Sequence, residues 1–340
     1  MRKIRRGFFI GSTAAVILVG SAAWGAFALA QPGGNESLIG NEGLLDAILA
    51  TPNYKTPVLP DNALATAPGL EQPVPAPQFT LNALAPLFFN SNPEFRSSGG
   101  PQSFEASPVA RLGWATQLGA LPLRFSGAAG LEFERFPNAN DANIDYLRTS
   151  ARLQYTPADP QGFSPFFSFV PRMDFEPTLS NNFATRYDLN LGIDKVFNFD
   201  GAFNRLAPDS SATPVWSFGF SAGAQRRFRY PPPQSYALFF APSASWVISD
   251  EWNASLSVPL TRRWFDQTDG FTERNFTVET IGILEYIVPG GWLGGADRAR
   301  LFGNPAVDLL VFREQNSSNL GIANYGQWLA GIVFKAGWRF

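Results

Sequence analysis

The chain of 340 residues contains neither cysteine nor histidine. Without cysteine it can form no disulfide, no thiolate nucleophile and no lipid anchor on an N-terminal cysteine. Without histidine it lacks the commonest metal ligand and the commonest general base of enzymes. A Ser–Lys or Asp–Asp pair stays open as a catalytic alternative. We nevertheless predict that the protein is not an enzyme, with no catalytic residue, no metal site and no cofactor.

Charge is also scarce, since Asp, Glu, Lys and Arg make up 16% of the chain and the formal net charge is −2. The chain begins with a basic cluster formed by Arg2, Lys3, Arg5 and Arg6. Residues 8–27 are then almost wholly apolar or small, and Ala-Leu-Ala at 28–30 fits a signal peptidase site. We predict a cleaved signal peptide over residues 1–30, with an uncleaved membrane anchor as the alternative. Its removal deletes four positive charges and changes the net charge to −2 − 4 = −6, so we expect no binding to nucleic acid.

Residues 31–77 differ in composition from the rest of the chain. They are rich in Pro, Ala, Asn and Gly, and their only cation, Lys55, stands among five acidic side chains. Prolines at seven positions between residues 52 and 77 prevent any long helix. The composition favours an N-terminal periplasmic tail without regular structure. A plug or a segment that binds a periplasmic partner is the alternative.

Long hydrophobic runs are absent after residue 30, and apolar residues instead recur at every second position. This period is typical of β-strands with one apolar and one polar face. Runs of this kind cover residues 79–90, 108–118, 121–135, 144–156, 163–176, 183–199, 215–230, 235–249, 252–265, 271–287, 300–313 and 325–340. Most are longer than the strands of a soluble β-sandwich, and aromatic residues stand near their ends. The pattern therefore predicts an all-β fold, an antiparallel transmembrane β-barrel of twelve strands over residues 78–340.

The last run places Trp328, Ile332 and Phe334 on one face, and the chain stops at Phe340. A final strand that ends at an aromatic residue resembles the C-terminal signature of Gram-negative outer-membrane β-barrel proteins. The resemblance implies a cell outer-membrane location, contact with outer-membrane lipid, and insertion by the barrel assembly machinery, with Phe340 as the assembly signal.

Charged residues at inward positions are the candidate functional residues. They are Arg148, Arg152, Arg172, Arg186, Asp188, Glu273, Glu279 and Glu285. In a ring of twelve strands the fourth lies opposite the tenth, so we expect Arg148 and Arg152 to face Glu279 across the lumen. Opposed walls of fixed charge select ions and solutes, and this arrangement resembles the constriction of diffusion porins.

The sequence thus favours an outer-membrane barrel for passive or facilitated passage of small polar solutes or ions through a narrow charged lumen. The alternative is a closed structural barrel in which these charges pair within the wall and fill the lumen. In that case the tail or the periplasmic turns would dock a periplasmic protein.

Overall fold

The structure is a computed structural model that describes residues 78–97, 101–119, 121–159, 161–207, 210, 212, 214–266 and 272–340. The predicted signal peptide (1–30) and the predicted tail (31–77) lie outside these residues. Within the described part, no helix is long and apolar enough to cross a membrane.

The described chain is almost entirely strand. The strands are β1 (Gln78–Asn90), β2 (Ser103–Ala106), β3 (Val109–Gln117), β4 (Leu123–Glu134), β5 (Ile144–Tyr155), β6 (Ser164–Phe175), β7 (Asn182–Phe199), β8 (Trp216–Tyr230), β9 (Ser235–Val247), β10 (Trp252–Ser257), β11 (Leu260–Phe265), β12 (Arg274–Ile287), β13 (Ala306–Ser318) and β14 (Tyr325–Arg339). One short helix, α1 (Ala296–Leu301), precedes β13. Single 3₁₀ turns cover Asn140–Ala142, Pro177–Leu179, Gly290–Leu293 and Gly321–Ala323.

Every strand is antiparallel to its neighbours, and the sheet closes because β1 pairs with β14. The fourteen strands form twelve wall strands, since two wall strands are each interrupted once. β2 and β3 continue in one register along β1, with Leu87 opposite Ala106 and Leu84 opposite Val109. β10 and β11 likewise share one register along β12. Pro108 and Pro259 lie at the two interruptions, where proline cannot donate a ladder hydrogen bond. The predicted twelve-stranded antiparallel barrel is therefore confirmed.

The eleventh predicted strand, 300–313, has the wrong bounds, because β13 spans Ala306–Ser318. The preceding residues form α1 and a turn in which Gly303 and Asn304 have φ angles of 72° and 45°. Such left-handed backbone followed by Pro305 ends the helix and delays the strand. The apolar run 309–312 still alternates, with Leu309 exposed at 49% and Leu310 buried at 1%.

The outward face of the barrel is apolar, as Leu191 on β7 illustrates with an exposure of 67%. Phe340 donates its backbone N–H to the carbonyl of Phe79 at 2.9 Å, which joins the two ends of the wall at one rim. We call this edge the terminal rim and the opposite edge the distal rim. Aromatic side chains stand near both rims, with Trp216 stacked on Trp246 at 4.8 Å near the terminal rim. An apolar outer band between aromatic girdles around a polar interior is the architecture of outer-membrane barrels.

Candidate functional site: the charged lumen

Seven of the eight predicted lumen residues lie at inward positions on wall strands. Arg148 and Arg152 are on β5, Arg172 is on β6, Arg186 and Asp188 are on β7, and Glu279 and Glu285 are on β12. Glu273 lies outside the wall, in the distal-rim loop, because β12 begins only at Arg274. There it accepts a hydrogen bond from the Asn275 amide at 2.8 Å. Partial burial raises the pKa of Glu273, and this hydrogen bond opposes that rise.

Four inward arginines stand side by side in the distal half of the wall. Arg148 on β5 is in register with Arg172 on β6, Arg172 with Arg186 on β7, and Arg186 with Arg229 on β8. We call this set the arginine row. Like charges directly opposite one another on neighbouring strands destabilise a sheet unless counter-charges lie nearby.

Aspartates beside the arginine row provide those counter-charges. Arg172 forms an ion pair with Asp174, and its guanidinium lies 3.8 Å from the ring centroid of Tyr146. Asp188 accepts two hydrogen bonds from Arg227, at 2.7 and 2.8 Å. The Nε of Arg186 lies 3.6 Å from the same carboxylate. Guanidinium groups held by a carboxylate fork or an aromatic face have fixed orientations.

A chain of polar contacts runs along the wall two inward positions closer to the terminal rim than the arginine row. Asn190 donates to Ser168 at 3.0 Å, Gln225 donates to Asn190 at 2.9 Å, and Arg263 donates to Gln225 at 2.7 Å. This chain links β6, β7, β8 and β11 through side chains as well as through the backbone. The inner surface of this arc is therefore a connected polar network.

Acidic side chains occupy the inward positions of β12 and β13. Glu279 is in register with Glu314, and Glu285 is in register with Asp308. We call these four residues the acidic wall. Lys335 on β14 forms an ion pair with Glu285 and lies 3.2 Å from Asp308.

The two carboxylates of the distal pair have different surroundings. Glu314 accepts hydrogen bonds from Tyr325 at 2.6 Å and from Gln327 at 2.7 Å. Neither carboxylate oxygen of Glu279 has a hydrogen-bond partner among the described residues, although the side chain is only 1% exposed. The β12–β13 arc therefore holds a buried carboxyl group that has no hydrogen-bond partner among the described residues.

An apolar cluster fills the space between the two acidic pairs. It comprises Leu84, Phe88, Val109, Ile281, Ile283, Leu310, Phe312, Leu329 and Val333, and each of these side chains is at most 6% exposed. The sequence offered a signal for part of it, since Leu329 and Val333 share the inward parity of Gln327 in the last strand. Alternation alone could not reveal that apolar positions on five wall strands meet in one place.

Serines dominate the inward positions of the terminal half of β8, β9 and β10. Ser217 is in register with Ser245, and Ser245 with Ser255. Ser243 is exposed, and the others, together with Gly219 between them, are half-buried. We call this surface the serine vestibule. It is the part of the inner wall with small, solvent-accessible polar residues, and it opens towards the terminal rim.

The ring order places β5 six wall strands from β12, so these strands face each other as the sequence predicted. Arg152, however, is engaged within its own wall. It forms an ion pair with Asp194 on β7, and its guanidinium lies 3.7 Å from the ring centroid of Phe166. Part of the Arg152 charge is therefore balanced within its own arc, and its opposition to Glu279 across the lumen stays a prediction.

No group of three or more acidic side chains suited to a metal ion occurs in the part of the chain that the structure describes.

No protein-family model matches the chain, and no curated protein matches it either. Solved structures do resemble it. An outer-membrane channel from Pseudomonas putida F1 aligns with 80% of this chain and 100% of its own, at 13% identity and a TM-score of 0.45. The translocator domain of the autotransporter NalP from Neisseria meningitidis aligns with 90% of this chain and 100% of its own, at 12% identity and a TM-score of 0.41. The NanC porin aligns with 75% of this chain and 98% of its own, at 10% identity and a TM-score of 0.38.

Another similar barrel changes one expectation from the sequence. LpxR from Salmonella typhimurium aligns with 76% of this chain and 99% of its own, at 8% identity and a TM-score of 0.38. Because outer-membrane enzymes occur among the structural neighbours, the prediction that the chain is not an enzyme is withdrawn. Barrels of this kind include enzymes as well as channels and translocators, and the lack of histidine does not decide between these classes.

Proposed function

We propose that the protein is an outer-membrane channel of a Gram-negative cell, exported with a cleaved signal peptide, that lets small polar solutes or ions pass through a narrow charged lumen. The assembly machinery would read Phe340, and the apolar outer band would contact outer-membrane lipid.

The observation that carries this proposal is the segregation of charge around one ring. The inward positions of β5–β8 hold six arginines and three aspartates. The inward positions of β12 and β13 hold four carboxylates and no cation. Because these arcs face each other, a transverse field crosses the lumen. Such a field acts more strongly in a partly desolvated passage than in bulk water, and it orients dipolar solutes.

The apolar cluster occupies the side of the lumen beside β12–β14 and β1, so the solute path runs along the opposite side. It begins at the serine vestibule and leads past the polar network to the arginine row. A path of this kind offers hydrogen bonds at each step and excludes large or apolar solutes. This route makes the predicted selectivity testable with single substitutions.

Reversal potentials across a salt gradient in planar bilayers test the proposal. Glu279→Lys should shift ion preference towards anions, and Arg148→Glu should shift it towards cations, because each changes the field in the lumen. High salt should reduce both shifts. Asp250→Lys is the matched control, because Asp250 is exposed in the turn between β9 and β10. Unchanged reversal potentials in both lumen variants would contradict the proposed path.

A closed structural or partner-binding barrel is the second candidate, and the buried apolar cluster favours it. Its side chains pack as in a protein core and leave no wet surface on that arc. A folded wild-type barrel that shows no conductance would support this candidate, and a pull-down with periplasmic extract would then test whether the barrel has a partner.

A further inference from the structure

Exposed charge on the outer face of the barrel has one sign. Among the described strands, the exposed or half-exposed charged residues at outward positions are Lys195, Arg226, Arg262, Arg274 and Arg313. Asp145 also has outward parity, but it is 0% exposed and lies 2.5 Å from Arg135. On the strands that the structure describes, the outward side of the wall therefore exposes cations and no carboxylate.

These cations are grouped on one side and towards one rim. The four arginines lie on β8, β11, β12 and β13, and only β9 intervenes between β8 and β11 in the ring. All four are in the distal half of their wall strands, whereas Lys195 is in the terminal half of β7. Arg262 is in register with Phe276 and Arg274 with Trp264. Arg262 and Arg274 are thus diagonal neighbours, at about 7–8 Å for such a pair.

Three of these arginines lack an acidic partner among the described residues. Arg226 donates two hydrogen bonds to Asp266, at 3.0 and 2.7 Å, and these bonds lower the pKa of that carboxyl. Arg262, Arg274 and Arg313 make no ion pair within the described part of the chain. We call these three residues the outer arginine patch.

Aromatic rings lie close to two arginines of this patch. The guanidinium carbon of Arg313 lies 5.0 Å from the ring centroid of Trp328, and that of Arg262 lies 5.9 Å from the ring of Trp264. A guanidinium that lies over an aromatic face leaves its N–H edges available for a planar anionic group. Trp264 and Trp328 also belong to the distal aromatic girdle, which marks the headgroup level of a membrane.

We propose that the outer arginine patch binds the phosphate groups of lipid A in the outer leaflet. This inference rests on the proposed outer-membrane location. An even number of wall strands places both chain ends in the periplasm, so the distal rim faces the cell exterior. The leaflet at that rim consists of lipopolysaccharide, whose lipid A carries phosphates. Guanidinium–phosphate pairs are bidentate and charge-assisted, which offsets the cost of arginines on a lipid-facing surface.

Native mass spectrometry of the full-length protein, refolded in detergent, tests the proposal with three probes: bisphosphorylated lipid A, enzymatically dephosphorylated lipid A, and phosphatidylglycerol. We expect wild type to retain bisphosphorylated lipid A through the collision steps that remove the other two lipids. The triple variant Arg262→Gln/Arg274→Gln/Arg313→Gln should bind it about tenfold more weakly. Lys195→Gln is the matched control, because it removes an outward cation from the opposite half of the wall, and it should bind as wild type does.

Three outcomes would overturn the proposal: equal retention of dephosphorylated lipid A, equal retention of phosphatidylglycerol, or unchanged lipid A binding in the triple variant. The first two comparisons use wild type alone, so they hold whether or not the variant folds. Binding is measured without conductance. A barrel that binds lipid A but does not conduct contradicts the proposed channel only, and one that conducts without binding lipid A contradicts this inference only.

Discussion

The assignment of outward and inward faces predicts that arginine, introduced at one position on each of two neighbouring strands, changes the free energy of unfolding by very different amounts. Leu191 on β7 points outward and is 67% exposed. Ser221 on β8 points inward and is in register with Asp194. Leu191→Arg should lower the free energy of unfolding by about 2–4 kcal/mol, the cost of arginine at the bilayer midplane. Ser221→Arg gains an acidic neighbour in a polar lumen, and we expect a change below about 1 kcal/mol.

The depth of Leu191 follows from the strand itself. β7 spans Asn182–Phe199, so Leu191 lies at its middle. Lys195, which the wall tolerates, lies four residues nearer the terminal rim, or about 13 Å along a strand. With a strand tilt of about 40°, this distance is about 10 Å along the membrane normal, close to half of a 25 Å apolar band. Lys195→Arg should therefore cost less than about 1 kcal/mol, because charge near an interface is tolerated.

Equilibrium folding into phospholipid vesicles over a urea series, followed by tryptophan fluorescence, measures all three free energies. The reasoning requires Leu191→Arg to be the most destabilised of the three by more than 1 kcal/mol. Equal effects of Leu191→Arg and Ser221→Arg would refute the assignment of faces on β7 and β8. Equal effects of Leu191→Arg and Lys195→Arg would refute the depth argument.

Two further predictions concern the closing seam between β14 and β1. Phe340→Ala keeps the backbone hydrogen bond to Phe79 but removes the ring, and it should reduce the amount of assembled barrel in cells, measured by heat-modifiable mobility. Ile322→Ala, at an exposed distal-rim position, should leave that amount unchanged. Equal amounts of assembled barrel in the two variants would count against Phe340 as the assembly signal. Gly331→Ala should destabilise the barrel by about 1–3 kcal/mol in vesicle unfolding, because its Cβ would stand 2.0 Å from the Leu87 carbonyl oxygen. Gly326→Ala, whose Cβ meets nothing within 3.7 Å, should change stability by less than about 0.5 kcal/mol, and similar losses in both would contradict the steric argument.

Period-two alternation was enough to predict the fold, since a strand that separates lipid from a polar interior must alternate along its length. It was also enough to identify the inward face of β5, β6 and β7. It could not reveal the register between strands, and the arginine row exists only because Arg148, Arg172, Arg186 and Arg229 share one register position. The bounds of β13 were missed because residues 300–305 continue the apolar pattern through a helix end and a left-handed turn.

The sequence predicts only part of the acidic wall. Glu279 and Glu285 share the parity of Ile281 and Ile283, which made their inward orientation ambiguous in the sequence. The structure turns all four inward, so carboxylates and apolar side chains alternate in layers on one arc. Such a mixture matches neither the polar face expected of a water-filled lumen nor the apolar face expected of a protein core. The pattern of a single strand therefore cannot tell which of its faces points inward. Asp308 and Glu314 on β13 complete the wall through registers that only strand pairing determines.

The energetics of the lumen favour a role for its charges beyond filling space. Replacing a buried ion pair with apolar side chains of similar volume is often neutral or stabilising. This chain uses apolar packing inside its own barrel, where Leu310, Phe312, Leu329 and Val333 are at most 1% exposed. A barrel selected for stability alone could extend that packing to β5–β8. It instead retains a row of arginines that needs Asp174 and Asp188 as counter-charges. On the opposite arc, the buried carboxyl group of Glu279 has no hydrogen-bond partner among the described residues. Polar and charged groups that are retained inside the barrel at an energetic cost favour action on a solute over a structural role.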